Sequence, residues 1–238
     1  MFMRNISYLA LLLFVGSWRL SGQVPTEFIV KPGQPVSEVI TPAVLYRFPQ
    51  FTSGKVHLVG GRMAEAKLNY NRFSEEVEFI DSKGDTLEIA EKITIRLITI
   101  LDDSFYFDNG YVELIQDYGR VKLALHEQLR LTSSQKVGAF GQKNGGVGIE
   151  SLTAYTSDQN TRIPLIANEE LKFKIDRLYF LNKSGSFYFP ANKKNILKEF
   201  SKYRKALQDY FSKNNFDPTD KKDVERLCVF IQSLPAGN

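Results

Sequence analysis

The chain has 238 residues, 13% of them aromatic and 24% charged, and its 31 basic and 27 acidic residues give a formal net charge of +4. This composition excludes an intrinsically disordered chain and is typical of a folded protein. Because Cys228 is the single cysteine, an intrachain disulfide is also excluded. Cys228 falls on an apolar helical stripe, which predicts a buried packing residue; a reactive thiol or an intermolecular bridge is the alternative.

The N-terminal residues have the layout of a secretory signal peptide. Arg4 supplies a positive charge, residues 8–15 (YLALLLFV) are apolar, and small and polar residues follow. The apolar run is much shorter than the roughly 20 residues that a membrane-spanning helix needs. We therefore expect a signal peptide over residues 1–22, cleaved near Gly22 and Gln23. No cysteine lies near this point to carry a lipid anchor.

Loss of the signal peptide changes the charge balance. Arg4 and Arg19 leave with it, so 29 basic and 27 acidic residues remain and the net charge falls to +2. The remaining charges are interspersed along the chain. The basic isoelectric point is therefore a weak argument for a nucleic-acid partner, and we expect none.

Residues 23–53 are predicted to form an extended leader. They contain Pro25, Pro32, Pro35, Pro42 and Pro49. Proline removes a backbone donor and restricts the preceding residue to extended geometry. The one strand expected here is an edge strand around residues 36–40.

Residues 54–190 are predicted to form an antiparallel β domain. From residue 54 to residue 131 polar and apolar residues alternate, and turn signals recur every eight to twelve residues, which indicates roughly eight short strands. The run TIRLITIL (94–101) is the most apolar and should be the central strand. The predicted strands are 55–59, 64–70, 77–81, 86–90, 94–101, 104–107, 111–116, and 120–125 with a continuation to 131 as an alternative.

The alternation also predicts which side chains face solvent. Apolar faces come from pairs such as Leu68 and Tyr70. The polar positions between them should be exposed, namely Lys67, Glu76, Glu78 and Glu88.

The second half of this domain changes in character. Residues 132–150 contain five glycines and few large apolar residues, which predicts a flexible loop. Strand composition resumes at 151–156 and 171–181. The sequence LNKSGSFYF then predicts a hairpin with its turn at 183–185.

Residues 191–238 are predicted to form a helical hairpin. Ile196, Phe200, Tyr203 and Leu207 follow helical spacing after Asn192, a plausible N-cap, and the helix should end at Asn214–Asn215. For the second helix, either Asp217 with Pro218 or Thr219 can provide the cap. Its apolar face comprises Val224, Leu227, Cys228, Ile231 and Leu234.

The candidate chemical residues do not assemble into a known motif. His57 and His126 are 69 residues apart without local metal-type ligands, so both are expected to be solvent-facing strand residues. The segment QKNGGVG (142–148) lacks the Lys and Ser/Thr of a phosphate-binding loop, and a flexible loop, serving as a lid or partner contact, is the simpler interpretation.

Two groups of acidic residues have a possible chemical role. Asp102, Asp103 and Asp108 with Asn109 could hold Ca²⁺, but Asp and Asn are common turn residues. Glu75, Glu76 and Glu78 could supply acids for glycoside hydrolysis, but no facing pair can be placed from sequence. No catalytic, cofactor-binding or metal-binding residue is therefore assigned, and no cofactor is expected.

Two surface features have alternative interpretations. The aromatic run at 187–189 is either strand packing or a ligand platform. The basic residues of the first C-terminal helix form either a solvated face or a contact to an anionic surface, such as lipid A phosphates or an acidic partner. They are Lys193, Lys194, Lys198, Lys202, Arg204, Lys205 and Lys213.

Joined together, the stretch GKVHLVGGRMAEAKLNYNRFSEEVEFIDSKGDTLEI and the tail KKNILKEFSKYRKALQDYFSKNNFDPTDKKDVERL resemble a group of uncharacterised exported proteins of Bacteroidota. The resemblance covers a β-meander followed by a Lys-rich two-helix tail. It implies an envelope location and carries no activity.

The expected fold is mainly β, an antiparallel meander of open-barrel or sandwich type with a C-terminal αα-hairpin. The expected function is that of an exported protein, periplasmic or outer-membrane associated, with a binding or scaffolding role, an envelope protein partner and no transmembrane span in its mature form. The alternatives are a secreted hydrolase with carboxylates assembled only in the fold, and a structural subunit of an outer-membrane complex. Clustered titratable groups in a pocket would favour the hydrolase, and a large exposed apolar patch would favour the subunit.

Overall fold

Alternating strands that are joined by tight turns build one large antiparallel sheet. The computed structural model describes residues 26–137, 143–145, 166–183 and 187–235. Within these ranges twelve strands form a single sheet in the order β1-β11-β9-β8-β7-β6-β2-β3-β4-β5, with β10 paired to β9 and β12 paired to β11. The strands are β1 (Glu27–Val30), β2 (Thr52–Leu58), β3 (Met63–Asn71), β4 (Glu76–Ile80), β5 (Thr86–Glu88), β6 (Ile95–Ile100), β7 (Asp103–Phe107), β8 (Tyr111–Asp117), β9 (Val121–Val137), β10 (Lys143–Gly145), β11 (Glu170–Lys183) and β12 (Tyr188–Pro190).

The predicted fold class is confirmed, because the sheet is antiparallel and open and helices follow it. β6, the strand predicted from TIRLITIL, lies in the middle of the strand order. Two of the predicted turns lie at the glycine and asparagine residues expected to form them. Gly60 and Gly61 have φ of 88° and 82° between β2 and β3, and Asn109 and Gly110 have φ of 57° and 140° between β7 and β8.

The prediction of a strand at residues 36–40 is wrong. Residues 36–39 form a short helix instead, α1 (Val36–Val39), a second short helix follows, α2 (Pro42–Leu45), and the edge strand of this region is β1. Tertiary packing explains the difference, because Val36, Ile40 and Val44 are all buried in one cluster with residues of β11. Proline also favours the first position of a helix, where Pro42 lies.

The loop predicted over residues 132–150 is also partly wrong, because its first six residues continue β9 as far as Val137. Ser134 pairs with Leu171 of β11, and Lys143–Gly145 pairs back onto the same end of β9. The length of β9 therefore depends on its partners rather than on apolar content. Residues 138–142 and 146–150 of this loop, and the strand predicted at 151–156, lie outside the described residues.

Three apolar clusters hold the sheet and its helices. One lies within β2–β8 and includes Leu68, Ile98 and Phe105. Another joins β9 and β11 to the C-terminal helices and includes Leu123 and Leu181. The last joins β1 and β11 to α1 and α2. The C-terminal helices thus share their core with the sheet.

The C-terminal region contains α3 (Lys193–Glu199), a 3₁₀ turn (Ser201–Tyr203), α4 (Arg204–Lys213) and α5 (Lys221–Ser233). The predicted cap Asn192 is confirmed, since its side chain accepts a hydrogen bond from Asn195 N at 2.9 Å. The cap of the second helix was misplaced. Asp220 caps α5, whereas Asp217 accepts hydrogen bonds from the backbone and hydroxyl of Thr219 and so closes a turn before it.

The apolar stripe of α5 is buried as predicted, and Cys228 is 0% exposed within it. Burial raises the pKa of this thiol to about 12, so it remains protonated and packs as a small apolar group. None of the helices in the described ranges is long and apolar enough to cross a membrane.

A buried ion network fastens the segment after α2 to the sheet. Arg72 Nε donates to Glu127 Oε2 at 2.7 Å, and Arg177 Nε donates to Glu127 Oε1 at 2.8 Å. Arg72 Nη1 also donates to the carbonyl oxygens of Val44, at 3.1 Å, and of Tyr46. Arg72 thus links Glu127 of β9, which Arg177 of β11 also contacts, to the backbone of α2 and of Tyr46 after it.

Candidate ligand-binding pocket

One cavity opens where three connections of the sheet meet. These are residues 72–75 between β3 and β4, the 3₁₀ turn Lys92–Thr94 before β6, and residues 108–110 between β7 and β8. The cavity has a volume of about 720 Å³, within the range of pockets that take small ligands. It is lined by Ser74, Glu75, Glu76, Lys92, Ile93, Ile95, Phe107, Asp108, Asn109, Gly110 and Phe187.

Glu76 lines this cavity, and its carboxylate is half-satisfied. Lys92 Nζ donates a hydrogen bond to Oε1, and the Glu76 side chain is 17% exposed. Oε2 is buried and has no hydrogen-bond partner within the described part of the chain. Since a buried acceptor without a donor costs on the order of 1–3 kcal/mol, this oxygen is a place where a ligand or water donor is expected.

The hydroxyl of Tyr111 is a second buried polar atom for which the described residues provide no partner. Its ring packs edge-to-face on Phe107, a residue of the pocket wall, with 5.0 Å between ring centroids. Burial raises the pKa of Tyr111, and the negative charges of Glu76 and Glu88 raise it further. The hydroxyl therefore stays protonated and lies within electrostatic reach of Glu76.

Glu75 is held in an unusual backbone conformation beside a buried histidine. Its φ of 60° lies in the left-handed region, which is uncommon for a residue with a side chain. Glu75 Oε2 lies 3.0 Å from His126 Nε2, and the carbonyl oxygen of Tyr111 lies 2.8 Å from His126 Nδ1. A carbonyl can only accept, so Nδ1 carries a proton. Nε2 faces a carboxylate, so Glu75 stabilises the form of the ring in which Nε2 also carries a proton, the imidazolium ion.

The pKa of His126 agrees with this assignment. Burial acts to lower it, but the hydrogen bond to Glu75, the bond to the Tyr111 carbonyl and the charge of Glu75 outweigh burial and raise the pKa overall. The prediction that His126 faces solvent is wrong, because the residue is only 9% exposed. β8 and β11 flank its strand, and the β3–β4 connection covers the ring. His57 is half-buried on β2.

The turn between β7 and β8 forms another part of the pocket lining. Asp108 Oδ2 accepts a hydrogen bond from Tyr188 N at 2.6 Å, which ties the start of β12 to this turn. The preceding residue, Phe187, lines the pocket with 81% of its surface exposed. The three aromatic residues at 187–189 therefore have different surroundings. Phe187 lines the pocket, whereas Tyr188 packs on Tyr106 and Phe189 packs on Phe200.

The expectation for Glu78 is wrong. Glu78 is only 7% exposed, and it accepts hydrogen bonds from Tyr46 Oη at 2.8 Å and Asn71 Nδ2 at 2.7 Å. Burial raises its pKa, although these hydrogen bonds act in the opposite direction. The cause is the segment around Tyr46, which covers β3 through a bridge to Asn71. Alternation along a strand could not reveal this second layer.

The remaining acidic candidates are separated. Asp103 forms an ion pair with Arg47 at 3.4 Å, Asp102 is exposed, and Asp108 belongs to the pocket. Among the residues that the structure describes, no group of three His, Cys, Asp or Glu side chains could hold a metal ion. Glu75 and Glu76, by contrast, both line the pocket. Sequence reasoning missed Lys92, for which the segment EKIT provides no motif.

Comparisons with protein-family models, with curated proteins and with solved structures found no match to this chain. The resemblance to exported Bacteroidota proteins therefore stays a prediction.

Proposed function

We propose that this chain is an exported envelope protein that binds a small, neutral, hydroxyl-rich ligand, such as a sugar, in the pocket. The observation that carries the proposal is the Glu76 carboxylate. One of its oxygens is paired with Lys92, and the other is buried without a partner among the described residues of a cavity of about 720 Å³. Such an oxygen favours a ligand that brings a hydrogen-bond donor.

The charges of the pocket disfavour an anionic ligand. The carboxylates of Glu75, Glu76 and Asp108 outnumber the ammonium group of Lys92 in the lining, so an anion would be repelled, whereas a neutral ligand meets no net repulsion. A hydroxyl group can donate to a carboxylate oxygen and accept from an ammonium group at the same time. A ligand with several hydroxyls therefore matches both members of the Glu76–Lys92 pair.

Apolar side chains at the pocket suit the flat face of a sugar ring. Phe187 is 81% exposed and Ile93 is 90% exposed, while Phe107 is half-buried behind them. Sites for small ligands commonly combine apolar and aromatic walls with a few polar groups that fix orientation. Phe187 would cover one ligand face, and Glu76 would fix the hydroxyls.

The envelope location is supported by the predicted signal peptide over residues 1–22. Fractionation of the producing cells tests it directly. Processed protein should appear in the envelope fractions, and unprocessed protein confined to the cytoplasm would contradict the proposal.

Titration calorimetry with glucose, galactose, N-acetylglucosamine and their disaccharides tests the ligand. We expect saturable binding, weakened about tenfold or more in E76Q because a hydrogen bond to a charged group is lost. E65Q is the matched control, since Glu65 is 66% exposed on β3 and pairs only with Lys55 among the described residues. Absence of binding to the whole panel, or equal affinity in E76Q and E65Q, would refute the proposal.

A secreted hydrolase is a second candidate, which one specific observation favours. Carboxylates from two separate connections line the same cavity, Glu75 and Glu76 on one and Asp108 on the other. Glycoside hydrolysis uses two carboxyl groups that flank the scissile bond. If a bound disaccharide is cleaved by the wild type but not by E76Q or D108N, the hydrolase is supported; binding without turnover supports the binding protein. The structural-subunit alternative stays a prediction.

A further inference from the structure

The positive charge of this protein is concentrated in one segment. Residues 193–213 contain seven basic and two acidic residues. The rest of the chain contains 24 basic and 25 acidic residues, so this segment of α3, the 3₁₀ turn and α4 carries the whole excess of positive charge. A local excess of this size creates a positive electrostatic potential that attracts anions.

The fold leaves these charges on the outer surface of the helical segment. Ile196, Phe200 and Leu207 of this segment are all buried in the cluster that joins the helices to β9 and β11. The opposite faces of α3 and α4 therefore point away from that common core. All seven basic residues are exposed, namely Lys193, Lys194, Lys198, Lys202, Arg204, Lys205 and Lys213.

Two of these basic side chains, Lys198 and Lys193, have contacts that leave their charge available to an external anion. The Lys198 side chain is 79% exposed although it forms an ion pair with Glu199 at 3.6 Å. The ammonium group of Lys193 lies 5.5 Å from the ring centroid of Phe211, a contact that leaves its charge in place. Exposed pairs of this kind are worth little and are exchanged easily for another anion.

We propose that this basic face docks on an anionic membrane surface through the phosphate groups of lipid headgroups. Six of the seven basic residues are lysines. Lysine is depleted in protein–protein interfaces, where arginine and aromatic residues are enriched. Its ammonium group is a compact point charge that suits a diffuse phosphate layer, whereas arginine suits a fixed bidentate acceptor.

The surface of the same segment argues against a protein partner in a second way. The large apolar side chains that are exposed in the described residues all lie outside residues 193–213. The face therefore provides no apolar anchor of the kind that dominates protein interfaces. It would lie on the headgroups by electrostatic attraction without inserting, and its binding would weaken with added salt.

Co-sedimentation of the protein purified from the producing cells tests this docking. We expect it to bind vesicles of phosphatidylcholine mixed with phosphatidylglycerol, and not vesicles of phosphatidylcholine alone. The triple variant K194E/K198E/K205E should bind at least about 100-fold more weakly, since each lysine near such a surface contributes about fivefold.

The matched control is K31E/K67E/K83E, which changes the net charge equally at three exposed lysines outside the segment. It should retain most of the binding, and circular dichroism should show both variants folded. Equal loss in the two variants, or equal binding to both kinds of vesicle, would overturn the proposal. Binding to polyglutamate without binding to the anionic vesicles would also overturn it and assign the face to an acidic protein. E76Q should bind the vesicles as the wild type does, so the ligand-binding proposal and the membrane-docking proposal can be refuted independently.

Discussion

Replacing Glu127 by glutamine should strongly destabilise the protein. Glu127 is 7% exposed and Arg72 is 8% exposed, and their side chains pair at 2.7 Å. The substitution preserves shape but removes the charge that compensates the buried guanidinium of Arg72. Breaking one partner of a buried ion pair costs about 3–5 kcal/mol, because the other charge remains in a poorly solvated place.

Urea unfolding followed by circular dichroism measures this cost. With a slope of about 2 kcal/mol per molar, the midpoint of E127Q should fall by about 1.5–2.5 M. E65Q is the matched control. Glu65 pairs with Lys55 at 3.5 Å, the two side chains are 66% and 52% exposed, and such an exposed pair contributes at most about 1 kcal/mol. If E127Q lowers the midpoint no more than E65Q does, the reasoning about the buried pair is refuted.

The pH dependence gives an independent check on the same residue. Burial would raise the pKa of Glu127, but Arg72 and Arg177 outweigh burial and hold it below its ordinary value of 4.5. The stabilisation is therefore present above pH 4.5 and is lost as the pH falls through the lower pKa of the folded state. The difference between E127Q and the wild type should shrink in acid.

Three further substitutions test other parts of the structure. The pKa of His126 in the folded protein is raised above its ordinary 6.5. The ion pair with Glu75 therefore stabilises the fold fully below pH 6.5, and this stabilisation is lost as the pH rises through the folded-state pKa. Urea midpoints should show the loss in the wild type and not in H126Q. In G54A the new Cβ would lie 2.6 Å from the carbonyl oxygen of Thr99, and calorimetry should show a loss of about 1–3 kcal/mol from overpacking. N69A removes the bonds at 3.1 and 3.0 Å to the N–H and carbonyl of Phe48, and unfolding midpoints together with faster proteolysis near Phe48 should report a loss of about 2–4 kcal/mol.

The meander could be predicted because each of its strands has one apolar face and ends at a residue suited to a turn. The pairs Leu68 with Tyr70 and Asn109 with Gly110 are local signals that the structure confirms. Residues that a second layer covers could not be predicted in this way. Glu78 looks like a solvent-facing residue along β4, and only the segment around Tyr46, more than thirty positions away, buries it.

The pocket was less accessible to sequence reasoning for a related reason. Its residues come from three connections that are distant along the chain, and none belongs to a motif of fixed spacing. Glu75 and Glu76 were weighed as paired acids, which placed part of the site correctly. Lys92 and the covered His126 depend on how β4, β6 and β9 pack together, and no local pattern encodes that.

The backbone strain at the pocket is explained by what holds its side chains. Glu75 and Asn109 both have φ near 60°, a conformation that Asn tolerates in turns but that costs on the order of 1–3 kcal/mol for Glu. Asp108, next to Asn109, accepts a hydrogen bond from the start of β12, and Glu75 is paired with His126 on β9. These bonds to the regular sheet keep the turns in place without a ligand. A pocket whose walls are already fixed loses little conformational entropy when a ligand binds, so binding there costs little.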